Sequence, residues 1–444
     1  MKKKLNIMNF VKNIIFVSII VGTFSTKLNA QEILTLEDAV KIALENNYEI
    51  KIAKNNLTID KINVSSGNAG MLPKLSANIV DNKNIQNTTQ TRSDGTVNKL
   101  DNAKNNNLIY GVGLDWTFFD GFKMFAKLDQ LKSLEKLGET NLKLTIITKI
   151  SDVTSTYYDL IQQQQQLEAL DSTIVISNLR LNLAQNRFTI GKASKLEVLN
   201  AQVDLNTDTT ALLRQKELFV NTKTILNQIL ARNLTIDFKV IREITIDDKL
   251  LLPQLILLAE KQNPQLETQI LNKKIAELQL KQIKSNRYPT VKVNSGYNFT
   301  ETAASLGFIT QSSAKGLNYG FSATLNLFDG FAQRRNEKIA KLEIANANVA
   351  IDQQNQVLKS ALIISFQTYL TNLELTKLEQ KNEVIAKQNL AITLDKFRIG
   401  TITTLEFRTA QLNFITAKVR NSNAQFQAKL SEISLKELAG NLNF

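Results

Sequence analysis

The 444-residue chain contains no cysteine and no histidine, only four prolines and a single tryptophan. Each scarcity excludes something. Without cysteine there is no disulfide framework, no thiol nucleophile and no lipid-modified N-terminal cysteine. Without histidine the commonest general base and the common zinc sites are missing. No nucleophile–base grouping stands out either, so the sequence predicts no catalytic residue, no metal site, no cofactor and no enzyme. Acids are outnumbered, 41 against 54 Lys and Arg, giving a formal charge of +13. Basic chains can bind nucleic acid, but no Lys/Arg cluster with interleaved aromatics is present. The surplus reads as solvated helix surface, with no nucleic-acid partner.

A long apolar run is lacking as well. Ile14–Phe24 is far shorter than the roughly 20 residues a spanning helix needs. With Lys2, Lys3, Lys4 and Lys12 before it and Ala30 after it, it reads as the core of a signal peptide over residues 1–30. Leu28, two places before Ala30, departs from the usual small residue. The first thirty residues hold five lysines and no acid, so the chain beyond them carries +8.

What is present is present twice. Phe119-Asp120-Gly121-Phe122 recurs as Phe328-Asp329-Gly330-Phe331, an offset of 209 residues. At the same offset Arg187-Phe188-Thr189-Ile190-Gly191 matches Lys396-Phe397-Arg398-Ile399-Gly400, and Leu196-Glu197 matches Leu405-Glu406. Upstream the offset is 216, pairing Asn47 with Asn263 and Leu72-Pro73 with Tyr288-Pro289. Self-similarity of this kind makes each half a complete structural unit. The reading is a first repeat over 31–235 with strands at about 74–89 and 107–119, a linker over 236–250, and a second repeat over 251–444 with strands at about 290–301 and 317–328.

Each half opens on a helix. Thr35-Leu36-Glu37-Asp38 supplies an N-cap residue with an acid three places on. Pro73 and Pro289 sit where a residue lacking an N–H can end that helix. After them the period changes from 3.6 to 2. Leu108, Tyr110, Val112, Leu114, Trp116 and Phe118 alternate with small or polar residues, and Leu317, Tyr319, Phe321, Ala323, Leu325 and Leu327 do likewise. A soluble half-buried sheet gives the same alternation. The tracts nevertheless have the 9–11 residues of a tilted spanning strand, with aromatics near their ends. Tyr110, Val112, Leu114, Trp116, Tyr319, Phe321 and Leu325 are therefore expected to face lipid. The polar stretches Gln90–Asn106 and Thr302–Gly316 read as exposed loops. Four strands cannot close a barrel, and an open edge in lipid leaves backbone groups unsatisfied at several kcal/mol each. A spanning sheet must then oligomerise.

Between Phe122 and Phe188 there is no proline and one glycine, Gly138, which predicts a helix of some 65 residues, roughly 100 Å at 1.5 Å per residue. It turns at Gly191 and returns from about Lys195 to Leu230; half two turns at Gly400 and returns from Thr403 to Leu438. These are antiparallel helical hairpins with coiled-coil-like seams.

These residues resemble the TolC family of outer-membrane efflux channels. The resemblance runs over essentially the whole chain after residue 30. It is carried by Leu36-Glu37-Asp38-Ala39-Val40-Lys41-Ile42-Ala43-Leu44-Glu45-Asn46-Asn47, the two Phe-Asp-Gly-Phe segments and the two turns. It implies a mainly α fold with a transmembrane β-barrel portion: a homotrimer with a 12-stranded barrel on a 12-helix tube. It also implies a periplasmic adaptor and an inner-membrane RND, ABC or MFS transporter as partners. The function implied is an exit duct for small molecules or secreted polypeptides, from a tripartite pump or type I secretion system. Carried over by position, the tips that meet the adaptor are Phe188, Gly191, Ser194 and Leu196 with Phe397, Gly400, Thr403 and Leu405. Relatives with an acidic constriction place two carboxylates after the second tip's glycine. Here the first is Glu406, while Thr409 takes the second place and Arg408 lies beside it, with Glu197 at the equivalent place in half one. A Glu406 ring would favour cations; a Glu406–Arg408 pair would cancel that field. A secreted coiled-coil stalk with a soluble cap is the rival reading, and cargo is not legible.

Overall fold

The computed structural model describes residues 32–307 and 309–442, so the expected signal peptide lies outside the described residues. The chain divides into two compact units: one holds residues up to Ile42, Thr156–Thr245 and Asn382–Phe426, the other Ala43–Ser155, Ile246–Lys381 and the residues from Gln427 onward. In chain order the elements are β1 (Glu32–Leu34), α1 (Leu36–Asn46), α2 (Tyr48–Asn63), α3 (Ser66–Ala69), β2 (Lys74–Thr91), β3 (Val97–Phe119), α4 (Lys123–Thr189) and α5 (Lys195–Ile229). Then follow β4 (Phe238–Val240), α6 (Leu252–Gln262), α7 (Pro264–Ser285), β5 (Thr290–Ala304), β6 (Gln311–Thr324), α8 (Ala332–Arg398) and α9 (Thr404–Leu438).

Local sequence explains the helix ends. Thr35 Oγ1 accepts from the Asp38 N–H at 3.1 Å and donates to the Asp38 carboxylate at 2.7 Å, as the Thr-x-x-Asp spacing predicts. Asn47 and Asn263 are the same device in the two halves. Asn47 Oδ1 accepts from the N–H groups of Glu49 and Ile50, and Asn263 Oδ1 from those of Gln265 and Leu266. The long helices α4 and α8 each run 67 residues. Gly138 inside α4 is no breaker. A Cβ there would lie 2.4 Å from Asp60 Oδ2, so its hydrogen is what lets α2 approach.

The unit that contains β1 also holds β4, and the two pair in parallel, Glu32 opposite Phe238 and Leu34 opposite Val240. Tyr157 ties the pair together: its hydroxyl donates to the Leu34 carbonyl at 2.9 Å and accepts from the Ile241 N–H at 3.2 Å. The stretch expected as a linker over 236–250 thus includes a strand.

The other unit is built on one antiparallel sheet in the order β2-β3-β5-β6. Its strands are longer than the sequence suggested. β2 and β3 run to Thr91 and from Val97, so Gln90–Asn106 is mostly ladder; likewise β5 reaches Ala304 and β6 starts at Gln311. Thr302–Gly316 is therefore a hairpin with a short turn. Asn, Thr and Gln gave the appearance of loop, but the ladder is made by main-chain groups and does not depend on apolar side chains. A bulge between Thr117 and Phe119 puts Phe119, rather than Phe118, opposite Val291. In the same unit, Leu255 and Ala259 of α6, Leu358, Leu362 and Tyr369 of α8, and Leu435 with Ala439 form a buried apolar cluster.

Each Phe-Asp-Gly-Phe is a strand-to-helix corner. Gly121 and Phe122 take positive φ, 70° and 68°, and Gly330 and Phe331 do the same at 63° each. Asp120 then accepts from the Met124 N–H and Asp329 from the Gln333 N–H, satisfying first-turn donors of α4 and α8. Gly121 is needed for space as well, since a Cβ would come 2.3 Å from the Ser285 carbonyl oxygen.

Candidate membrane-facing sheet and helical tips

Strand register places the expected lipid-facing residues together. Val112 pairs with Tyr297 and that with Leu317; Tyr110 pairs with Phe299; Leu114 pairs with Ser295 and that with Tyr319; Trp116 pairs with Val293 and that with Phe321. Directly opposed residues share a face, so these side chains make one apolar surface. Tyr110 stacks on Phe299 with centroids 4.9 Å apart. β2 adds Leu75, Ala77 and Ile79, opposite Leu114, Val112 and Tyr110. The sequence reading missed these three, although their alternation with Ser76 and Asn78 carries the period-2 signal. Leu325 lies just past the end of β6 at Thr324, outside the ladder.

The opposite face is small and polar. Asn298 lies over Gly111, where a Cβ would meet its Oδ1 at 2.4 Å, and donates to Asn318 Oδ1 at 3.1 Å. The sheet thus has one face suited to hydrocarbon and one suited to water, with β2 and β6 as open edges. Among the described residues no helix is long and apolar enough to cross a membrane.

The second candidate region comprises the two helical turns, which lie in the same unit as β1. Gly191 and Gly400 take φ of 74° and 80° and close α4 and α8. Their N–H groups bond back to Phe188 and Phe397 carbonyls. Phe188, Leu196 and Leu405 are exposed, and Ser194 precedes α5 without a side-chain cap. Phe397 is fully buried, stacked on Phe407 at 4.8 Å and packed by Leu390. Its side chain is core here.

Glu406 is not paired with Arg408. Its carboxylate accepts from the Thr403 N–H at 2.9 Å while Thr403 Oγ1 accepts from the Glu406 N–H at 3.2 Å, a reciprocal capping box. Arg408 instead forks onto both Asp208 oxygens at 2.7 and 2.8 Å, out of solvent. Burial works against the Arg408 charge, but hydrogen bonding to Asp208 and the negative charges of Asp208 and Asp204 outweigh it and raise its pKa. Ser177 donates to Asp208 at 2.6 Å, and Gln411 donates to Ser177 at 2.9 Å. Arg180, also buried, pairs with Asp204. Reading the sequence for motifs missed this network. Its only trace is Asp204 and Asp208 four residues apart on one helix face.

Glu197 behaves unlike its counterpart. It accepts from Thr404 Oγ1 at 2.7 Å and lies 3.7 Å from Arg187, whose other nitrogen donates to the Phe397 carbonyl at 2.5 Å. The Arg187 guanidinium also covers the Phe397 ring at 4.6 Å. Arg187, Glu197 and Thr404 border a cavity of about 600 Å³. Thr409 is exposed, and its hydroxyl donates to the Leu405 carbonyl of its own helix at 3.0 Å.

An amphipathic sheet with two open edges, a duplicated helical hairpin and glycine-closed tips define the class of a channel subunit. The chain matches the model of the outer membrane efflux protein family over residues 39–232 and 255–441, and it belongs to that family. It is 20% identical to the outer membrane protein TolC of Vibrio cholerae over 97% of this chain and 95% of that one. Its fold is similar to the Campylobacter jejuni CmeC outer membrane channel, with a TM-score of 0.75, 19% identity and coverage of 91% and 85% of the two chains. It is similar also to the Vibrio cholerae outer membrane protein VceC, at 0.72, 14% identity and coverage of 91% and 96%. The protein is an outer-membrane efflux channel, from a family of transport channels rather than enzymes.

Proposed function

We propose that this chain is the exit duct of a tripartite efflux pump or type I secretion system, exported by its signal peptide and working as a homotrimer. Three copies of the four-stranded sheet would close a 12-stranded barrel in outer-membrane lipid, and their helical hairpins would form a 12-helix tube in the periplasm. A periplasmic adaptor would dock at the tips and connect them to an inner-membrane RND, ABC or MFS transporter. The single observation that carries this reading is the sheet itself: one continuous apolar face combined with two unpaired edges. In hydrocarbon such edges are tolerated only when another strand covers them.

At the tips, exposed Phe188, Leu196 and Leu405 would meet the adaptor, with Gly191, Gly400, Ser194 and Thr403 shaping the turns. Exposed Glu406 and Thr409 would border the entrance, while Glu197 and Arg408 brace the hairpins from behind. The test is migration of the protein extracted from outer membranes. A band at three times the chain mass that collapses to monomer only on boiling supports the duct; monomer recovered from the medium would refute it.

A further inference from the structure

Charge is unevenly placed on the polar face of the four-stranded sheet. Strand register puts on that face the even-numbered residues of β2 from Lys74 to Gln86, those of β5 and β6, and the odd-numbered residues of β3 from Ala103 to Thr117. Among these described residues only Lys74, Asp115 and Lys292 are charged, and all three are exposed. The others are neutral, mostly Asn, Ser, Thr and Gly. The three charges lie together at the end of the sheet nearest the Phe-Asp-Gly-Phe corners. Lys74 is directly opposite Asp115, and Lys292 is opposite Thr117, two residues nearer the corner. The apolar face is arranged the other way round: its charges, Asp81, Lys83, Lys104, Glu301 and Lys315, lie toward the hairpin ends. A cleft of about 780 Å³ opens beside Lys292, bordered by Thr290, Ser322 and Thr324 of the polar face and by Arg287 and Asp329. A small solute can therefore come within reach of the Lys292 ammonium.

Neighbouring acids do not cancel this surplus. Asp120 and Asp329 each accept an N–H in the first turn of a 67-residue helix, so their charge is set against the positive end of a helix dipole. Arg287 and Glu337 offset each other as a pair at 2.5 Å. Two lysines then stand against the single carboxylate of Asp115. We infer that Lys74 and Lys292 make the corner end of the bore favour solutes bearing a negative group, whether carboxylate, sulfonate or phosphate. Basic side chains around a pore select anions in this way. The selection rests on the channel reading above, in which the polar face is wet and the apolar face is not. It does not involve Glu406, which belongs to the other compact unit. A unit charge about 7 Å away in water changes the local concentration of a monovalent ion about threefold. The effect extends about 30 Å in 0.01 M salt and only about 3 Å in 1 M salt.

The chain has no cysteine, so one introduced thiol reports the local potential without background. Ser322, exposed and directly opposite Lys292, is the reporter position. Outer membranes carrying Ser322→Cys are treated with an anionic thiol reagent, sulfonatoethyl methanethiosulfonate, or a cationic one, trimethylammonioethyl methanethiosulfonate. The quantity read is the ratio of the anionic to the cationic rate. Adding Lys292→Gln should lower that ratio about sevenfold in dilute buffer and hardly at all in 1 M salt. Lys74→Gln should lower it further, and Asp115→Asn should raise it. At Ser312→Cys, ten residues away on the same face, the ratio should not respond to any of the three. A Ser322→Cys ratio unmoved by both lysine substitutions while labelling proceeds, or an equal response at Ser312→Cys, would overturn the anion preference and leave the channel reading standing. A Ser322→Cys thiol that reacts with neither reagent until the protein is denatured would show a polar face closed to water and overturn both.

Discussion

The two helical tips come from the same duplicated sequence and do different things. In the second, Glu406 closes a capping box on Thr403, and Phe397 is sealed beneath Phe407. In the first, Glu197 leaves its own cap and holds Thr404, while Phe188 stays exposed. Asp208, the acid that pairs with Arg408, has Ala417 as its counterpart in half two, and Ala417 is buried too. Repetition fixes backbone features faithfully: the asparagine caps, the positive-φ Gly-Phe corners and the glycine turns all recur. What it leaves free is the packing partner. The first tip has specialised as a brace, the second as a folded core.

The largest effect should come from breaking the brace. Asp208→Ala strands a buried arginine and should cost about 3–5 kcal/mol, seen as a fall in the apparent Tm of the detergent-solubilised protein. Adding Arg408→Met should recover most of that loss. If Asp208→Ala is neutral alone, the buried pair is not what holds this tip.

Next come the two phenylalanines. Phe397→Ala should cost about 3–5 kcal/mol as a large core deletion, whereas Phe188→Ala should cost under about 1 kcal/mol, in line with a surface position. Similar losses for both would erase the distinction between the tips. A smaller difference is expected at the caps: Thr403→Ala should cost about 0.5–2 kcal/mol through the capping box, and Ser194→Ala, with no side-chain cap to lose, should be nearly silent.

The smallest prediction concerns acid. Glu337 is held down to about 2, first by its hydrogen bond from Arg287 and then by that from Gln333. Its folded value lies below the ordinary carboxylate value of 4.5. The pair's contribution is thus present above that value and disappears as pH falls toward 2. Arg287 is largely solvated, so the contribution is small. Glu337→Gln should lower stability slightly at pH 7 and flatten the profile between about pH 4.5 and 2, where the difference from the parent disappears; an unchanged acid profile would show that the pair contributes nothing.

Much of this was legible beforehand because it is local. The Thr35 and Asn47 signals, the period-2 runs, the uninterrupted helical tracts and the glycine turns each depend on a few neighbouring residues. Strand length was not legible. Between Asn82 and Asn106 the side chains are mostly polar, and only the partner strand shows that the backbone is paired. The Arg408–Asp208 bond was hidden for a related reason: the two residues are 200 positions apart, and nothing near either one announces the other. Glu406 beside Arg408 invited a local pairing, yet Thr403 offered the carboxylate better geometry.

The central claim, that the apolar sheet face closes into a membrane-spanning pore, is tested most directly by single-channel recording of the purified protein in planar lipid bilayers. Discrete steps of uniform size that grow when exposed tip residues such as Leu405 are substituted are the result expected here. A folded protein that neither inserts nor conducts, with or without those substitutions, would contradict the pore and return the molecule to a helical stalk with a soluble cap.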